Sequence, residues 1–192
     1  MHNFERTISK ANAAHLIETY LASVERIENS LGDHKVLDLL KVLKRNHIGA
    51  GPYPCVTWFE ASNRILSDLV ILYGVKWLLD NEVFPFEQYV VEYGNEDENG
   101  FDIRAEGEGK ALVGEAFNVA PSFFQGKKNS MRKKLAESRA DFKILMFNHD
   151  AVKLSYAPRP TKNEYFVFVQ VGIGDSRMVP RFACEPKPES VT

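Results

Sequence analysis

The hydrophobic period of this chain changes near residue 86, and that change restricts the fold more than any other feature. Before it, apolar residues recur at helical spacing, whereas after it they form short alternating or continuous runs that are typical of strands. One helical segment, 122–138, separates the early runs from the late ones. Helices, three meander-like strands, a helix and further strands predict an α/β (α+β) sandwich around a mixed sheet.

The first third of the chain predicts helices. One carries apolar residues at helical spacing over 8–27, with Ser9 as its N-cap, and a second runs over about 33–45. Two prolines and two glycines within 49–54 then interrupt the pattern, because these residues do not continue a helix.

A long third helix is predicted over 57–81. Thr57 and Glu60 have the spacing of a capping box, and two adjacent apolar stripes indicate a helix that is covered on more than one side. Such a helix packs well on a sheet. The predicted strands cover 86–93, 101–106, 111–119, 141–147 and 165–171.

Length and composition fit one domain with extensions. The chain has 192 residues, of which 44% are hydrophobic, enough for a sizeable core. We expect an N-terminal helical extension over 1–55, an α/β core over 56–183 and a flexible tail over 184–192.

The same composition restricts the setting of the protein. No apolar run reaches the roughly 20 residues that span a bilayer. Cys55 and Cys184 are too few for a disulfide framework or a zinc site, so we expect a reduced, cytoplasmic protein. The net charge of −2 argues against nonspecific coating of nucleic acid, while a local basic surface remains compatible with it.

Two acids are predicted to face each other across a hairpin. If 108–109 is a two-residue turn, Gly107 pairs with Lys110 and Asp102 lies opposite Glu115. Opposed carboxylates repel unless a proton or a divalent cation holds them, and they are suitable ligands for Mg²⁺. The alternative is a bulge or longer turn that shifts the register, so that both acids face water.

The helix over 57–81, the strand–hairpin segment with Asp102 and Glu115, the next helix and the run 141–147 together resemble the PD-(D/E)XK superfamily. The resemblance covers about 57–171. It implies a restriction-endonuclease-like three-layer sandwich, in which a mixed central sheet is flanked by helices. It also implies that Asp102, Glu115 and the Ala116 carbonyl bind a metal ion.

The sequence departs from this family at one position. The family's lysine should lie two residues after the second acid, where this chain has Phe117. Lys127, Lys128 and Lys110 are candidates to replace it by orienting water or stabilising charge. The alternative is that Phe117 packs in the core and catalysis is lost.

Residues 126–134 contain five basic side chains in nine positions. Because the helix after the third strand flanks the active site in the nucleases that the chain resembles, these cations are predicted to bind DNA phosphates. The alternative is an ordinary exposed helix face. The residues are Lys127, Lys128, Arg132, Lys133 and Lys134.

Glu60 and Asp68 lie on the helix that should back the site. At most one is expected to join it, and both are expected to be solvent-facing or hydrogen-bonded. The histidines lack zinc-binding spacing, and no hydrolase, NTPase or dinucleotide motif is present.

The resemblance implies an Mg²⁺-dependent DNA endonuclease of the type II restriction-enzyme kind. We expect it to act as a homodimer, because cutting two antiparallel strands suits twofold symmetry. The N-terminal helices would form the dimer surface or a DNA clamp. The alternative is a nuclease-like fold without catalysis that serves as a binding or assembly module.

Overall fold

The computed structural model describes residues 4–28, 31–94, 100–153, 156–171 and 181–182. The helices in this part of the chain are α1 (Ala13–Val24), α2 (Val36–Arg45), α3 (Trp58–Asp80) and α4 (Pro121–Ala136). The strands are β1 (Thr7–Ser9), β2 (Gln88–Val91), β3 (Ile103–Gly107), β4 (Lys110–Phe117), β5 (Phe142–Asn148), β6 (Glu164–Val169) and β7 (Arg181–Phe182). A short 3-10 helix, His149–Ala151, follows β5.

The strands form a single sheet whose spatial order is the chain order. Strands β1 to β4 pair antiparallel, β4, β5 and β6 pair parallel, and β7 returns antiparallel to β6. Helix α4 lies in the crossover between β4 and β5, which parallel neighbours require. The sheet is therefore mixed, and the predicted α/β class is confirmed.

Helices α3 and α4 pack on opposite faces of the central strands. Helix α3 joins one hydrophobic core with alternate strand residues such as Leu112 and Ile144. Helix α4 joins a second core that contains Val113 and Leu145 from the other face. The wide apolar stripe predicted for α3 is confirmed, since eleven of its residues are buried. Its predicted cap is also present, because the Thr57 hydroxyl accepts the Glu60 N–H at 3.3 Å.

The N-terminal segment differs from its prediction. Thr7–Ser9 pairs with β2 as an edge strand, and the fully buried Ile8 belongs to that strand rather than to a helix. Ser9 is therefore not an N-cap: α1 begins at Ala13, and the Ser9 N–H donates to Asn12 Oδ1 at 2.8 Å. The helix was predicted too long because Ile8 of β1 happens to continue the apolar spacing of α1.

The hairpin between β3 and β4 has the predicted turn. Gly107 pairs with Lys110, and the central residues Glu108 and Gly109 have φ of 51° and 73°. Positive φ at both positions defines a type I′ turn, whose twist matches that of the strands. The predicted register of the two strands is confirmed.

Two further expectations concern the C-terminal tail with the cysteines and the absence of a membrane-spanning helix. The predicted tail over 184–192 and Cys184 lie outside the described residues, whereas Cys55 is exposed. Of the helices in the described ranges, none combines the length and the apolarity that crossing a membrane requires.

Candidate active site

Asp102 and Glu115 lie beside each other at the end of the β3–β4 ladder. The last ladder pair joins Ile103 to Gly114, so the next step places Asp102 opposite Glu115. Strand alternation directs both side chains to the sheet face that α4 covers. Asp102 Oδ2 accepts the Ala116 N–H at 2.8 Å, which fixes the aspartate against β4.

Glu115 is buried and Asp102 is partly buried. Glu115 is 2% exposed, and burial together with the charge of Asp102 raises its pKa to about 7. Burial also raises the pKa of Asp102, while the Ala116 N–H and the ammonium groups of Lys134 and Lys127 act in the opposite direction. A pair of acids whose charge is disfavoured by burial and by mutual repulsion favours a bound cation or proton.

Lys134 of α4 places an ammonium group at this pair. Its Nζ lies 2.8 Å from Glu115 Oε1 and 5.5 Å from the centroid of the Phe101 ring. The first contact is an ion pair, and it acts to lower the pKa of Glu115. The sequence predicted Lys134 only as a phosphate contact. Its spacing of seven residues from Lys127 indicates a shared helix face and could have suggested this role.

Phe117 packs in the core, as one of the two sequence interpretations predicted. It is 2% exposed, and its ring lies 5.8 Å from that of Phe147 and 6.2 Å from that of Phe124, measured between centroids. An ammonium group at position 117 would have to enter this aromatic cluster. The cation beside the acids therefore comes from α4 and not from β4.

Lys127 is the predicted catalytic lysine that faces the acids. It is exposed and lines the same cleft as Asp102 and Glu115, and its charge lowers the pKa of both carboxyl groups. Lys127 and Lys134 are two helical turns apart on α4 and flank the acid pair together.

The other two candidate lysines are directed elsewhere. Lys128 donates to the Tyr156 hydroxyl at 3.3 Å and lies over the Phe124 ring. Lys110 lies at the hairpin turn over the Phe142 ring, and it is five residue steps from Glu115, about 17 Å along the strand. The structure does not bring either ammonium group to the acids.

The other two residues that were predicted to bind DNA, Arg132 and Lys133, also do not face the cleft. Arg132 forms two hydrogen bonds with Glu164 of β6, Nε to Oε1 at 2.6 Å and a terminal nitrogen to Oε2 at 2.7 Å. Glu164 is 7% exposed, so this pair fastens α4 to the sheet. Lys133 is exposed and does not line the cleft.

Asp68 of α3 is a further buried acid in the cleft. It is 1% exposed and accepts hydrogen bonds from the Tyr20 hydroxyl at 2.5 Å, from the Tyr53 hydroxyl, and from the Gly94 N–H at 3.0 Å. Burial raises its pKa to about 7 although these hydrogen bonds act to lower it. The prediction that Asp68 is hydrogen-bonded is confirmed.

Glu60, the other predicted acid of this helix, is partly exposed. One of its carboxylate oxygens forms an ion pair with Arg64 at 2.5 Å. Both residues line the cleft near the start of α3.

Glu92 is an acid that the sequence interpretation missed. It follows β2 directly, and the pairing of Val91 with Ile103 places it opposite Asp102. Its N–H donates to the Asp102 carbonyl at 2.9 Å, and its charge raises the pKa of the Asp102 carboxyl. Its side chain is 5% exposed, and Oε1 has no hydrogen-bond partner among the described residues. Extending the predicted register to the preceding strand would have found it.

The acids and lysines line a cleft of about 750 Å³ between α3, α4 and the ends of the strands. Its charged walls include five acids, two ammonium groups and one guanidinium. They are Glu60, Asp68, Glu92, Asp102, Glu115, Lys127, Lys134 and Arg64.

The oxygen ligands present suit Mg²⁺. Within the described ranges, no three or more His, Cys, Asp or Glu side chains gather as a metal-binding group. Mg²⁺ requires fewer protein ligands, because it binds through one or two carboxylates and retains several water molecules. Asp102, Glu115 and the Ala116 carbonyl are the groups that would hold it, beside or in place of the Lys134 ammonium that lies 2.8 Å from Glu115 Oε1.

Comparisons with protein-family models, with curated proteins and with solved structures gave no match for this chain.

Proposed function

We propose that the chain is an Mg²⁺-dependent endonuclease that hydrolyses DNA phosphodiester bonds in the manner of type II restriction enzymes. The observation that carries this proposal is the meeting of Asp102, Glu115 and the Lys134 ammonium in one cleft. A fold of the PD-(D/E)XK, restriction-endonuclease-like kind is part of the proposal. It is supported by the order of α3, β2, β3, β4, α4 and β5 and by helices on both sheet faces.

The position of each group supports a chemical task. Bound Mg²⁺ would polarise the phosphate and make a coordinated water more nucleophilic. Asp102 and Glu115 present the negative charge that holds a cation. Lys134 offsets negative charge that develops on the phosphate and orients the water, which attacks phosphorus in line as the opposite P–O ester bond breaks.

Lys127 supports the binding of nucleic acid. It is exposed on the cleft side of α4, where its ammonium can contact a phosphate next to the one that is cut. The acids alone would repel a polyanion, so cations on the cleft wall are required for binding.

A homodimer in the reducing cytoplasm completes the proposal, since twofold symmetry suits the cutting of both strands. Helix α2 exposes Val36, Leu37 and Leu40 by 74, 64 and 55%, and exposed apolar side chains of this kind often mark a surface that another protein covers. Sedimentation should give a dimer, and replacing Leu37 and Leu40 by lysine should give a monomer.

The second candidate is a nuclease-like fold without catalysis that acts as a binding or assembly module. The packing of Phe117 in the core favours it, because the usual lysine position is lost. In this reading the Lys134–Glu115 ion pair balances the buried acid and replaces the metal ion.

Cleavage assays separate the two candidates. Supercoiled plasmid and long DNA of mixed sequence are incubated with the protein in Mg²⁺ or Mn²⁺, and RNA is tested in parallel. The proposal requires cleavage of DNA by the native chain, its loss in Asp102→Asn and Glu115→Gln, and its retention in the turn variant Glu108→Gln. Absence of cleavage together with thermal melts that do not respond to Mg²⁺ would favour the second candidate.

A further inference from the structure

A second cavity of about 260 Å³ lies over β2 and β3, on the same sheet face as the acid pair. Val90 and Phe101 give it apolar walls, while Glu92 and Arg104 supply charge. Glu92 also lines the larger cleft, so the two spaces adjoin at that side chain. Among the described elements, helix α4 contacts β4 and β5, whereas the cavity lies over β2 and β3.

Two buried polar atoms in this cavity have no hydrogen-bond partner in the part of the chain that the structure describes. One is the acceptor Glu92 Oε1, on a side chain that is 5% exposed, and the other is the donor Arg104 Nε. A buried polar atom without a partner destabilises the fold, so a folded protein rarely leaves two in one place. A ligand that offers a donor and an acceptor together would satisfy both.

The charges in the cavity exclude the simpler ligands. A phosphate would face the carboxylates of Glu92 and the neighbouring Glu106, which repel an anion. A metal ion would face the guanidinium of Arg104, which repels a cation. A neutral, flat group with hydrogen-bonding atoms along one edge fits both charges and the apolar walls.

We propose that this cavity binds one unpaired guanine base of the strand that lies at the acid pair, an inference that rests on the proposed nuclease function. Guanine presents adjacent N–H donors on its Watson–Crick edge, which a carboxylate accepts, and the acceptor O6, which an arginine donates to. Thymine, adenine and cytosine each offer one donor next to an acceptor on this edge, whereas guanine adds a second adjacent donor that the other oxygen of the carboxylate can accept. Phe101 offers an apolar surface against which the base can lie.

The position of the cavity fits a base next to the cut phosphate. Phe101 lines it, and the Lys134 ammonium that pairs with Glu115 lies over the same ring. The backbone of a strand whose phosphate is at Asp102 and Glu115 would therefore continue directly past the cavity. In this arrangement Lys127 and Lys134 face the phosphates, and Glu92 and Arg104 face the base.

Fluorescence anisotropy tests this inference. The probe is a labelled thymidine oligonucleotide of about 12 nucleotides with guanine, adenine, cytosine or thymine at its centre, in Ca²⁺ so that it is bound but not cut. The native protein should bind the guanine probe about tenfold more tightly than the others. Glu92→Gln and Arg104→Met should reduce that preference to within about twofold, while Glu108→Gln and Arg139→Met, exposed changes of the same kind, should keep it.

The outcomes distinguish this inference from the function on which it rests. Equal binding of all four probes by the native protein would refute the guanine cavity and leave the nuclease proposal standing. No binding of any probe would refute the guanine cavity, while the plasmid cleavage assay decides the nuclease proposal separately. Guanosine 5′-monophosphate tests the source of the base: if it binds the native protein and both pocket variants weaken it, while the probes show no preference, the cavity serves a free nucleotide and the proposal for a strand is wrong.

Discussion

At the scale of single residues, the site is a compromise between folding and binding. Burial and mutual repulsion disfavour the charged forms of Asp102 and Glu115, and the single ion pair with Lys134 offsets this only in part. Such a pair destabilises the metal-free protein and strengthens its hold on a cation by the same interactions.

Glu115→Gln should therefore stabilise the metal-free protein at pH 8. The folded pKa of Glu115 is about 7 and the unfolded value is near 4.3, so the folded protein holds this proton more tightly. Its contribution to stability is full below the unfolded pKa and is lost as pH rises through about 7. We expect the free energy of unfolding to rise by about 1 kcal/mol at pH 8 and not at pH 4.5.

Urea unfolding at both pH values, with Glu108→Gln as the control on the same hairpin, measures this difference. Added Mg²⁺ should raise the melting temperature of the native chain and do so less in Glu115→Gln. If native chain and variant respond equally to Mg²⁺, the acids do not form a metal site.

Lys134→Met should lower Mg²⁺-dependent cleavage by about 10²–10³-fold, because a positioned cation beside a developing charge contributes about that much. It should also move the acidic limb of the pH profile upward, since the Lys134 charge lowers the pKa of Glu115. Lys133→Met, one residue earlier and exposed, should change neither. A lower rate with an unshifted pH profile would count against a direct contact with the acids.

The register arithmetic of one hairpin could predict Asp102 and Glu115 from the sequence. It could not predict Lys134, because the choice between lysines depends on how α4 is rotated against the sheet, which distant packing decides. The burial of Phe117 has the same origin, since its ring partners come from α4 and β5.

At the scale of elements, α4 distributes its basic residues over three directions. Lys127 and Lys134 face the cleft, Lys128 and Arg132 face Tyr156 and Glu164, and Lys133 faces solvent. The five basic residues thus have different roles, because some line the cleft and others attach α4 to the sheet. The sequence had predicted that all five bind DNA.

Replacing Lys127 by Gln should weaken DNA binding and lower the slope of log affinity against log salt by about one, the value for one lost phosphate contact. The control Lys133→Gln should change the slope much less, because its ammonium lies off the cleft. Arg132 is not replaced, since its loss would leave the buried Glu164 without its cationic partner and destabilise the protein. Titrations of labelled DNA at several salt concentrations in Ca²⁺ give both slopes, and equal slopes for the two variants would contradict this division.

At the scale of the whole molecule, the segment predicted as an extension joins the same core as the sheet. Strand β1 extends the sheet beyond β2, and α1 packs against α3. The order of elements could be read from the sequence because strong periodicity marks each one. The joining of β1 could not, because three residues are too few to show a strand period.

The hydroxyl groups of Tyr20 and Tyr53 link this N-terminal segment to the cleft, and Tyr20→Phe should reveal the contribution of the first. The Tyr20 hydroxyl donates to Asp68, which favours the charged carboxylate and lowers its pKa. Without the donor the folded pKa rises above about 7, so the variant should lose more stability at pH 8 than at pH 5. We expect a loss of about 1–3 kcal/mol at pH 8. Tyr89→Phe is the matched control, because the buried Tyr89 hydroxyl has no hydrogen-bond partner among the described residues, and its removal should be neutral at both pH values. The free energy of unfolding is measured with urea at both pH values. If Tyr20→Phe loses the same amount at pH 5 and pH 8, Tyr20 stabilises the protein by packing and not by its hydrogen bond to charged Asp68.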